Sequence, residues 1–416
     1  MTVAPEVAKA IEWVVKHSAE QVTALRICLF LHVRRGCFDK VNAHRESTIA
    51  SIEKIGKEMR RSGRYEDWAN VPDKKLREAA RGVNGPLLEF LAKGMGYSDA
   101  ACIELFRSGA PLLGKLACTG NGTALREVGI PDLDLLDREC AQRWVWRLTG
   151  FALLLMRLQW CARNREMLAS LKEDENSGVL FKKTCDDALK GWMSEPRPLK
   201  DEDAERYVLS PRFCVEQGMD AEGNQKFRAV DDFTRSGVNA QTAPTEKLHC
   251  DTLDGLNEIL RRLATGTKAP LSLFKTDIDS AFRRLPIRSD HRMYAHIVFK
   301  YKGVTYMSVH FREPFGSVAS VHAWDRAGNL LCAIARKMLQ IPMSRYVDDY
   351  YAPDRAESAE IAMNCFVRLV RACLGHDAIS EAKCGVGNPL VILGVEISLS
   401  ADGATFKPSA DKVAKW

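Results

Sequence analysis

The sequence contains no C-x-x-C pair and no group of cysteine and histidine residues at the spacing of a zinc site. Its 13 cysteines, an odd number, are scattered from Cys28 to Cys384. We therefore expect buried thiols in a reducing compartment rather than a disulfide scaffold. There is also no internal repeat and no low-complexity tract, which excludes a repeat array.

Long hydrophobic runs are missing as well. The most apolar stretch extends for nine residues from Leu148 to Met156, between two arginines, and is too short to cross a bilayer. The N-terminus, Met1 to Glu6, begins an amphipathic pattern rather than a charged cap followed by an apolar run, so no signal peptide is predicted. We expect an intracellular protein, cytoplasmic or nuclear, without a membrane partner.

The charge balance is mildly basic. The 416 residues include 60 lysines and arginines against 54 acidic residues, which gives a formal net charge of +6. This balance permits a polyanionic partner without requiring one. A length of 416 residues with 46% hydrophobic residues leaves room for two to three domains with ample core.

The first part of the chain, residues 1–190, is predicted to be mostly helical. Apolar residues recur at three- and four-residue steps over 49–59 with charged residues between them, which is typical of an amphipathic helix packed on a core. Residues 143–160, followed by Arg163 and Arg165, interleave aromatic side chains with arginines. Such a segment can stack on bases and hold phosphates, or it can be a buried helix with arginines reaching out from its ends.

The character of the sequence changes near residue 190. Prolines at 196, 198 and 211 surround the charged run Lys200 to Arg206, which indicates a linker and the main domain boundary. Two strand-like runs follow, over 212–217 and 226–233. This hairpin is either a surface ribbon or a lid, in which Arg228 would hold a triphosphate by charge-assisted hydrogen bonds.

The rest of the chain alternates strand and helix patterns. In order, the predicted elements are a helix over 252–263, a strand over 271–274, a hairpin over 293–301 and 304–311, a helix over 317–339, an acidic hairpin over 343–352, a helix over 358–374 and a strand over 390–397. This order predicts an α+β fold with a split β-α-β sheet and its helices on one face.

Two acidic stretches are the candidate chemical centre. Asp348 and Asp349 lie at the predicted tip of the acidic hairpin, and Asp277 and Asp279 lie two residues apart on the strand that begins at Leu271, hence on one face. Adjacent carboxylates repel each other unless cations neutralise them, and Mg²⁺ prefers carboxylate oxygens. The alternatives are a solvated acidic turn and the D-x-D pair of metal-dependent sugar transferases.

A succession of motifs over residues 210–416 resembles the fingers and palm of retroelement reverse transcriptases, of the retrotransposon type. In order they are Lys226–Phe233 with Asn239, Thr276–Ile287, Pro314–Ser320, Tyr346–Asp349, Leu374–Lys383 and Ile392–Val395. A Tyr-x-Asp-Asp box alone is a weak signal, whereas six motifs in the family's order are a strong one.

The resemblance implies a role for each matching residue. It implies that Asp277, Asp348 and Asp349 bind two Mg²⁺ ions, with Mn²⁺ as the other usable ion, and that Lys383 approaches the departing pyrophosphate. It implies that Arg228, Phe282, Pro314, Phe315 and Gly316 bind the nucleotide, with Phe282 screening the sugar 2′ position. It also implies that Leu393 and Gly394 belong to the primer grip.

The implied protein is an RNA-directed DNA polymerase, a nucleotidyltransferase whose partners are an RNA or DNA template with a primer and deoxynucleoside triphosphates. The domains would be a helical region of unassigned function (1–190), linker and fingers (191–270), palm (271–408) and the start of a truncated thumb (409–416). Glu313 departs from the family, which usually has leucine before Pro-Phe-Gly. Glu216 and Gln217 lie where the family commonly has a lysine.

Two other functions are consistent with these residues. The first is a non-catalytic nucleic-acid-binding remnant that keeps the palm but lacks a thumb. The second is a two-metal nucleotide cyclase or sugar transferase that uses Asp277 and Asp279, although it accounts for neither Pro314–Ser320 nor Lys383.

Overall fold

The computed structural model describes residues 38–62, 73–119, 123–124, 145–219, 223–266 and 269–414. Side chains are described in all of these ranges except at positions 38–39, 62, 123–124, 145–157 and 266. Helices and strands alternate along the described chain, so the predicted α+β class is confirmed.

The helices of the described residues are α1 (Phe38–Ser62), α2 (Lys74–Ala80), α3 (Gly85–Met95), α4 (Ala101–Arg107), α5 (Val145–Ser170), α6 (Ser177–Leu189), α7 (Asp201–Arg206), α8 (Leu253–Gly266), α9 (Val318–Met338), α10 (Ala359–Leu374) and α11 (Ala410–Val413). The strands are β1 (Gly114–Lys115), β2 (Thr123–Ala124), β3 (Arg197–Pro198), β4 (Leu209–Met219), β5 (Gln225–Asp231), β6 (Thr242–Ala243), β7 (Glu246–Lys247), β8 (Leu271–Asp277), β9 (His296–Tyr301), β10 (Val304–Val309), β11 (Ser344–Tyr346), β12 (Asp349–Arg355), β13 (Gly385–Gly387), β14 (Leu390–Ile392), β15 (Val395–Ser400) and β16 (Gly403–Pro408).

Three sheets organise the described chain from β3 onward. A five-stranded sheet has the order β3-β10-β9-β4-β5, a four-stranded sheet has the order β11-β12-β8-β13, and a three-stranded sheet has the order β14-β15-β16. In the four-stranded sheet, β8 lies between β12 and β13 and runs antiparallel to both. Its carboxyl end therefore lies beside the start of β12.

Both faces of the four-stranded sheet are covered. Alternate side chains of a strand point to opposite faces, and Phe274 and Tyr350 accordingly pack against α9 and α10, whereas Leu273 and Tyr351 pack against α8 and the three-stranded sheet. The two helices between the strands thus lie on one face as predicted. Helix α8, which precedes the first strand, covers the other face together with β14–β16.

The N-terminal helices share the core of this sheet. Ile49 and Ile52 of α1 are buried in the same cluster as α10, as the three- and four-residue spacing predicts. Arg45 is fully buried, donates to the carbonyl oxygen of Leu339 at 3.1 Å and pairs with Asp354 at 2.8 Å. Because a buried charge is tolerated only when it is paired, Arg45 fixes α1 against the sheet.

Most predicted elements over residues 252–374 are present with shifts of one to three residues. The helices α8, α9 and α10 lie close to the predicted 252–263, 317–339 and 358–374. The hairpin β9–β10 turns at Lys302 and Gly303, both with positive φ, as a two-residue turn requires.

One prediction about secondary structure is wrong. The single strand over 390–397 is a hairpin, because Leu393 and Gly394 adopt positive φ (51° and 74°) and reverse the chain between β14 and β15. The charged run Lys200–Arg206, predicted to belong to a linker, contains the short helix α7, whose first turn is closed by Asp203 accepting from the backbone N–H of Lys200 at 2.9 Å.

Several predictions concern residues outside the described ranges. These are the absence of a signal peptide at Met1–Glu6, the side chains of residues 143–157 in the aromatic and arginine-rich segment, and the last residues of the chain after 414. Within the described ranges, no helix is both long enough and apolar enough to cross a membrane.

Candidate active site

Three of the four carboxylates singled out in the sequence, those of Asp277, Asp348 and Asp349, lie at one end of the central strands β8 and β12, which we call the carboxylate edge. Asp277, the last residue of β8, lies directly opposite Asp349, the first residue of β12. The backbone N–H of Ile278 donates to the carbonyl oxygen of Asp348 at 3.1 Å and closes the ladder beyond this pair. Asp277 and Asp349, which are 72 positions apart in the sequence (349 − 277), are therefore neighbours on adjacent strands, and Asp348 lies in the turn beside them.

Asp348 lies in the two-residue turn that joins β11 to β12. The other turn residue, Val347, has a φ of +55°, which costs strain energy for a β-branched side chain. Its carbonyl oxygen accepts from the indole N–H of Trp324 at 2.9 Å and from the guanidinium of Arg345 at 2.8 Å. These two buried donors hold the turn in a conformation that Val347 alone disfavours.

Lys383 neutralises the most buried of the three carboxylates. Its Nζ lies 2.9 Å from both side-chain oxygens of Asp277. The backbone N–H of Ser380 donates to the carbonyl oxygen of Asp277 at 3.0 Å, which fixes the 3₁₀ turn Glu381–Lys383 beside β8. The lysine that the sequence places 106 residues downstream therefore reaches the carboxylate site directly (383 − 277).

The electrostatics of this cluster are dominated by burial and mutual repulsion. Burial, together with the charges of Asp348 and Asp277, raises the pKa of Asp349 to about 6. Burial also raises the pKa of Asp277, although the ion pair with Lys383 opposes this. Burial alone would lower the pKa of Lys383, but Asp277 outweighs it and raises that pKa. The cluster thus holds more negative charge than its single ion pair neutralises.

The donor chemistry of the cluster fits hard divalent cations. The three carboxylates of Asp277, Asp348 and Asp349 are the oxygen ligands that Mg²⁺ prefers, and the Cys384 thiol lies next to the backbone of Asp277. Among the described residues, no group of three or more histidine, cysteine, aspartate or glutamate side chains is arranged so that it could hold a metal ion. The ammonium of Lys383 instead occupies the space between the two side-chain oxygens of Asp277.

Three of the residues predicted to bind the nucleotide, Arg228, Phe282 and Phe315, lie close together. The rings of Phe282 and Phe315 lie 5.1 Å apart between centroids, and the guanidinium carbon of Arg228 lies 5.6 Å from the centroid of Phe315. Phe282 belongs to the 3₁₀ turn that follows Asp277, whereas Arg228 comes from β5. Side chains from three separate segments therefore meet around the ring of Phe315.

The turn that carries Phe315 is fixed by Asn239. The side-chain amide of Asn239 donates to the carbonyl oxygen of Gly316 at 2.9 Å, and its oxygen accepts from the N–H of Val318 at 3.0 Å. Gly316 has a φ of +97°, and a Cβ at this position would collide with the carbonyl oxygen of Asp231. Only glycine therefore allows this close approach of the turn to β5.

A buried polar network connects the five-stranded sheet to the segment after Asp277. His310 lies 2.9 Å from Asp231 and 2.8 Å from Arg283, and Arg212 lies 3.6 Å from Asp231. Burial alone would raise the pKa of Asp231, but Arg212 and His310 outweigh it and hold that pKa at about 2. The network ties Arg283, next to Phe282, to β4, β5 and β10.

Glu313 lies at the position where the family usually has leucine, and its side chain is fully buried. Its Oε2 accepts from the hydroxyl of Ser320 at 2.5 Å, and its Oε1 has no hydrogen-bond partner among the described residues. Burial raises the pKa of Glu313 to about 8. The carboxyl is therefore protonated in the folded protein at neutral pH.

We expect the Glu313→Gln variant to lose a pH dependence that the wild type has. Between the ordinary pKa of 4.5 and the folded value of about 8, the folded protein holds a proton that the unfolded chain has released. The wild-type free energy of unfolding should therefore fall with rising pH in this window, by at most about 1.4 kcal/mol per pH unit, relative to the variant. Urea denaturation of both proteins across this window measures the difference. Parallel curves for the two proteins would contradict the prediction.

Asp279, Leu393 and Gly394 lie outside the paired strands that carry Asp277 and Asp349, although the charge of Asp279 still helps to raise the pKa of Asp277. The expectation that Asp277 and Asp279 share a strand face is wrong, because β8 ends at Asp277 and Asp279 lies half-exposed beyond it. Leu393 and Gly394 form the turn between β14 and β15. Their hairpin is joined to the site through Lys275 of β8, whose Nζ donates to the carbonyl oxygen of Val391 at 2.9 Å.

Three residues that support the site were not predicted from the sequence. Trp324 and Arg345 support the Val347 carbonyl, and the charge of Lys275 acts on Asp349. A tryptophan within an apolar helix pattern indicates only core packing, and a positive φ at valine has no sequence signal. Lys275 could have been found, since it lies two residues before Asp277 and therefore on the same strand face.

Comparison with known proteins gives structural neighbours only. No family model and no curated protein matches this sequence. Three solved structures of foamy viral protease-reverse transcriptase match over 58–59% of this chain. They are the dRH form in complex with double-stranded DNA (TM-score 0.43, 19% identity), a complex with double-stranded DNA (0.42, 19%) and a complex with an RNA/DNA hybrid (0.41, 18%). The chain spans 37%, 44% and 28% of their lengths, respectively. At these values the likeness assigns neither an activity nor a partner to this chain.

Proposed function

We propose that this chain contains the fingers and palm of a retroelement RNA-directed DNA polymerase, which adds deoxynucleotides to a primer 3′ end. The observation that carries the proposal is the meeting of Asp277 and Asp349 on adjacent antiparallel strands, with Lys383 against Asp277. In-line phosphoryl transfer requires little covalent chemistry from the protein and depends on positioned charge, which such a cluster supplies.

In this proposal Asp277, Asp348 and Asp349 hold two Mg²⁺ ions, or Mn²⁺ in their place. Two bound cations supply activation of the attacking primer hydroxyl and stabilisation of the leaving oxygen. The chain itself fixes the carboxylates through the β8–β12 ladder and through the two donors on Val347. Lys383 neutralises or protonates the departing pyrophosphate once its ammonium leaves Asp277.

The group around Phe315 is proposed to hold the incoming nucleotide. Arg228 binds the triphosphate by charge-assisted hydrogen bonds, with Pro314 and Gly316 shaping the surface beside the base. Phe282 fills the space next to the sugar and excludes a 2′-hydroxyl, which selects deoxynucleotides. Leu393 and Gly394 are proposed to contact the primer through their hairpin turn.

A cleft between the five-stranded sheet and helices α5 and α6 supports a single-stranded template as partner. It has a volume of about 240 Å³, and its lining includes Pro211, Phe299 and Lys300 as well as the acidic residues Asp174 and Asp232. Lys172 and the exposed ring of Phe213 also line it. Amines combined with an aromatic ring are typical of single-strand binding.

The test of the function is template-directed primer extension. With a primer annealed to an RNA template, we expect the wild-type chain to incorporate the complementary deoxynucleotide in Mg²⁺ and to lose incorporation when a chelator removes the cation. Ribonucleotides should be incorporated poorly because of Phe282. Incorporation that ignores the template base, or that persists without divalent cation, would refute the proposal.

A second candidate function is binding of primed template without catalysis. The ion pair between Lys383 and Asp277 favours this second function. As long as the ammonium contacts both oxygens of Asp277, a divalent cation cannot bind to that carboxylate. Template binding without extension would select this candidate over the polymerase.

A further inference from the structure

The ion pair between Lys383 and Asp277 has an unusual geometry for a surface lysine. Its ammonium lies at the same distance, 2.9 Å, from both oxygens of a carboxylate that is only 4% exposed. This is the position from which a cation would be chelated by Asp277. A second cation at that position would meet like-charge repulsion as well as a blocked carboxylate.

The backbone around Lys383 is fixed by contacts with β8 and α10, whereas its side chain is mostly exposed and is held by the ion pair with Asp277. Ser380 donates to the carbonyl oxygen of Asp277 at 3.0 Å, Ile379 bridges to Ile278, and Glu381 pairs with Arg371. The Lys383 side chain itself is 60% exposed. A flexible four-carbon stem on a rigid turn allows the ammonium to leave Asp277 without movement of the sheet.

We propose that Lys383 is an internal counter-cation of Asp277 that a divalent cation displaces. This inference rests on the proposed function, because it assumes that the carboxylates bind divalent cations. In the cation-free protein the ammonium holds the carboxylate edge together against repulsion from Asp348 and Asp349. When a cation enters, the ammonium is released toward solvent, where it is available to the phosphates of a nucleotide. Cation entry and lysine release are thus one coupled exchange.

Direct measurement of Mn²⁺ binding tests the exchange without any turnover. Electron paramagnetic resonance titration of free Mn²⁺ gives the dissociation constant for the full chain without nucleic acid or nucleotide. We expect Lys383→Met to bind Mn²⁺ about fivefold more tightly than the wild type, since a partly exposed ion pair no longer has to be broken. Lys383→Arg, which keeps a charge that can pair with both oxygens, should bind no more tightly than the wild type.

Two controls separate the outcomes. Lys407→Met removes a lysine that pairs with Glu396 on the three-stranded sheet and should leave the Mn²⁺ dissociation constant unchanged. Equal or weaker Mn²⁺ binding by Lys383→Met than by the wild type would overturn the exchange. If Asp277→Asn binds Mn²⁺ as well as the wild type does, the carboxylates are not the cation site and the proposed function fails with it. Thermal unfolding of each variant verifies that it is folded.

Discussion

Replacement of Asp277 by asparagine is expected to lower the rate of primer extension by about 100- to 1000-fold. The substitution preserves the size of the side chain but removes the charge at the buried end of β8, opposite Asp349. Loss of one preorganised electrostatic group at a reacting centre typically costs this much. Steady-state incorporation on an RNA template in Mg²⁺ measures the effect, and Asp348→Asn is expected to behave in the same way.

Asp279→Asn is the matched control for this experiment. Asp279 lies two residues away in the sequence, yet it is beyond the end of β8, and its carbonyl oxygen accepts from Arg284 at 3.0 Å. We expect its substitution to change incorporation by no more than about threefold, because it lies outside the carboxylate edge. Loss of activity in Asp279→Asn as large as in Asp277→Asn would indicate a D-x-D transferase site instead.

Substitution of Trp324 by alanine is expected to destabilise the protein by about 3–5 kcal/mol. The side chain is fully buried between α9 and the four-stranded sheet, and its indole N–H holds the carbonyl oxygen of Val347. Removal of the ring leaves a cavity in the core and takes away one of the two donors that support the strained turn. Urea denaturation monitored by circular dichroism measures the change.

Trp324→Phe separates packing from positioning. Phenylalanine fills most of the space but cannot donate to Val347, so the free energy of unfolding should fall by only about 1 kcal/mol. Primer extension should fall more than this modest destabilisation accounts for, because the turn that carries Asp348 has lost a donor. Unchanged extension by Trp324→Phe would contradict a positioning role.

Periodicity alone gave most of the elements over residues 252–374, because strong alternation or three- and four-residue spacing dominates there. It failed at Leu393 and Gly394, where an apolar run over 390–397 hides a reversal of the chain that depends on two positive φ values. It also failed at Asp279, because the residue at which β8 ends is set by its pairing with β12. Such boundaries depend on tertiary contacts rather than on local sequence.

By itself, the sequence determined the α+β class, the strand that begins at Leu271, and the choice of two acidic segments as candidates for one site. Only the tertiary structure decided which acids meet, because Asp277 and Asp349 become neighbours through an antiparallel register between strands far apart in the chain. It also decided that Lys383 lies against Asp277 and that Trp324 and Arg345 hold Val347. The local sequence pattern determines which face of its own helix or strand a residue occupies. The contacts between residues of different elements depend on how those elements pack against each other.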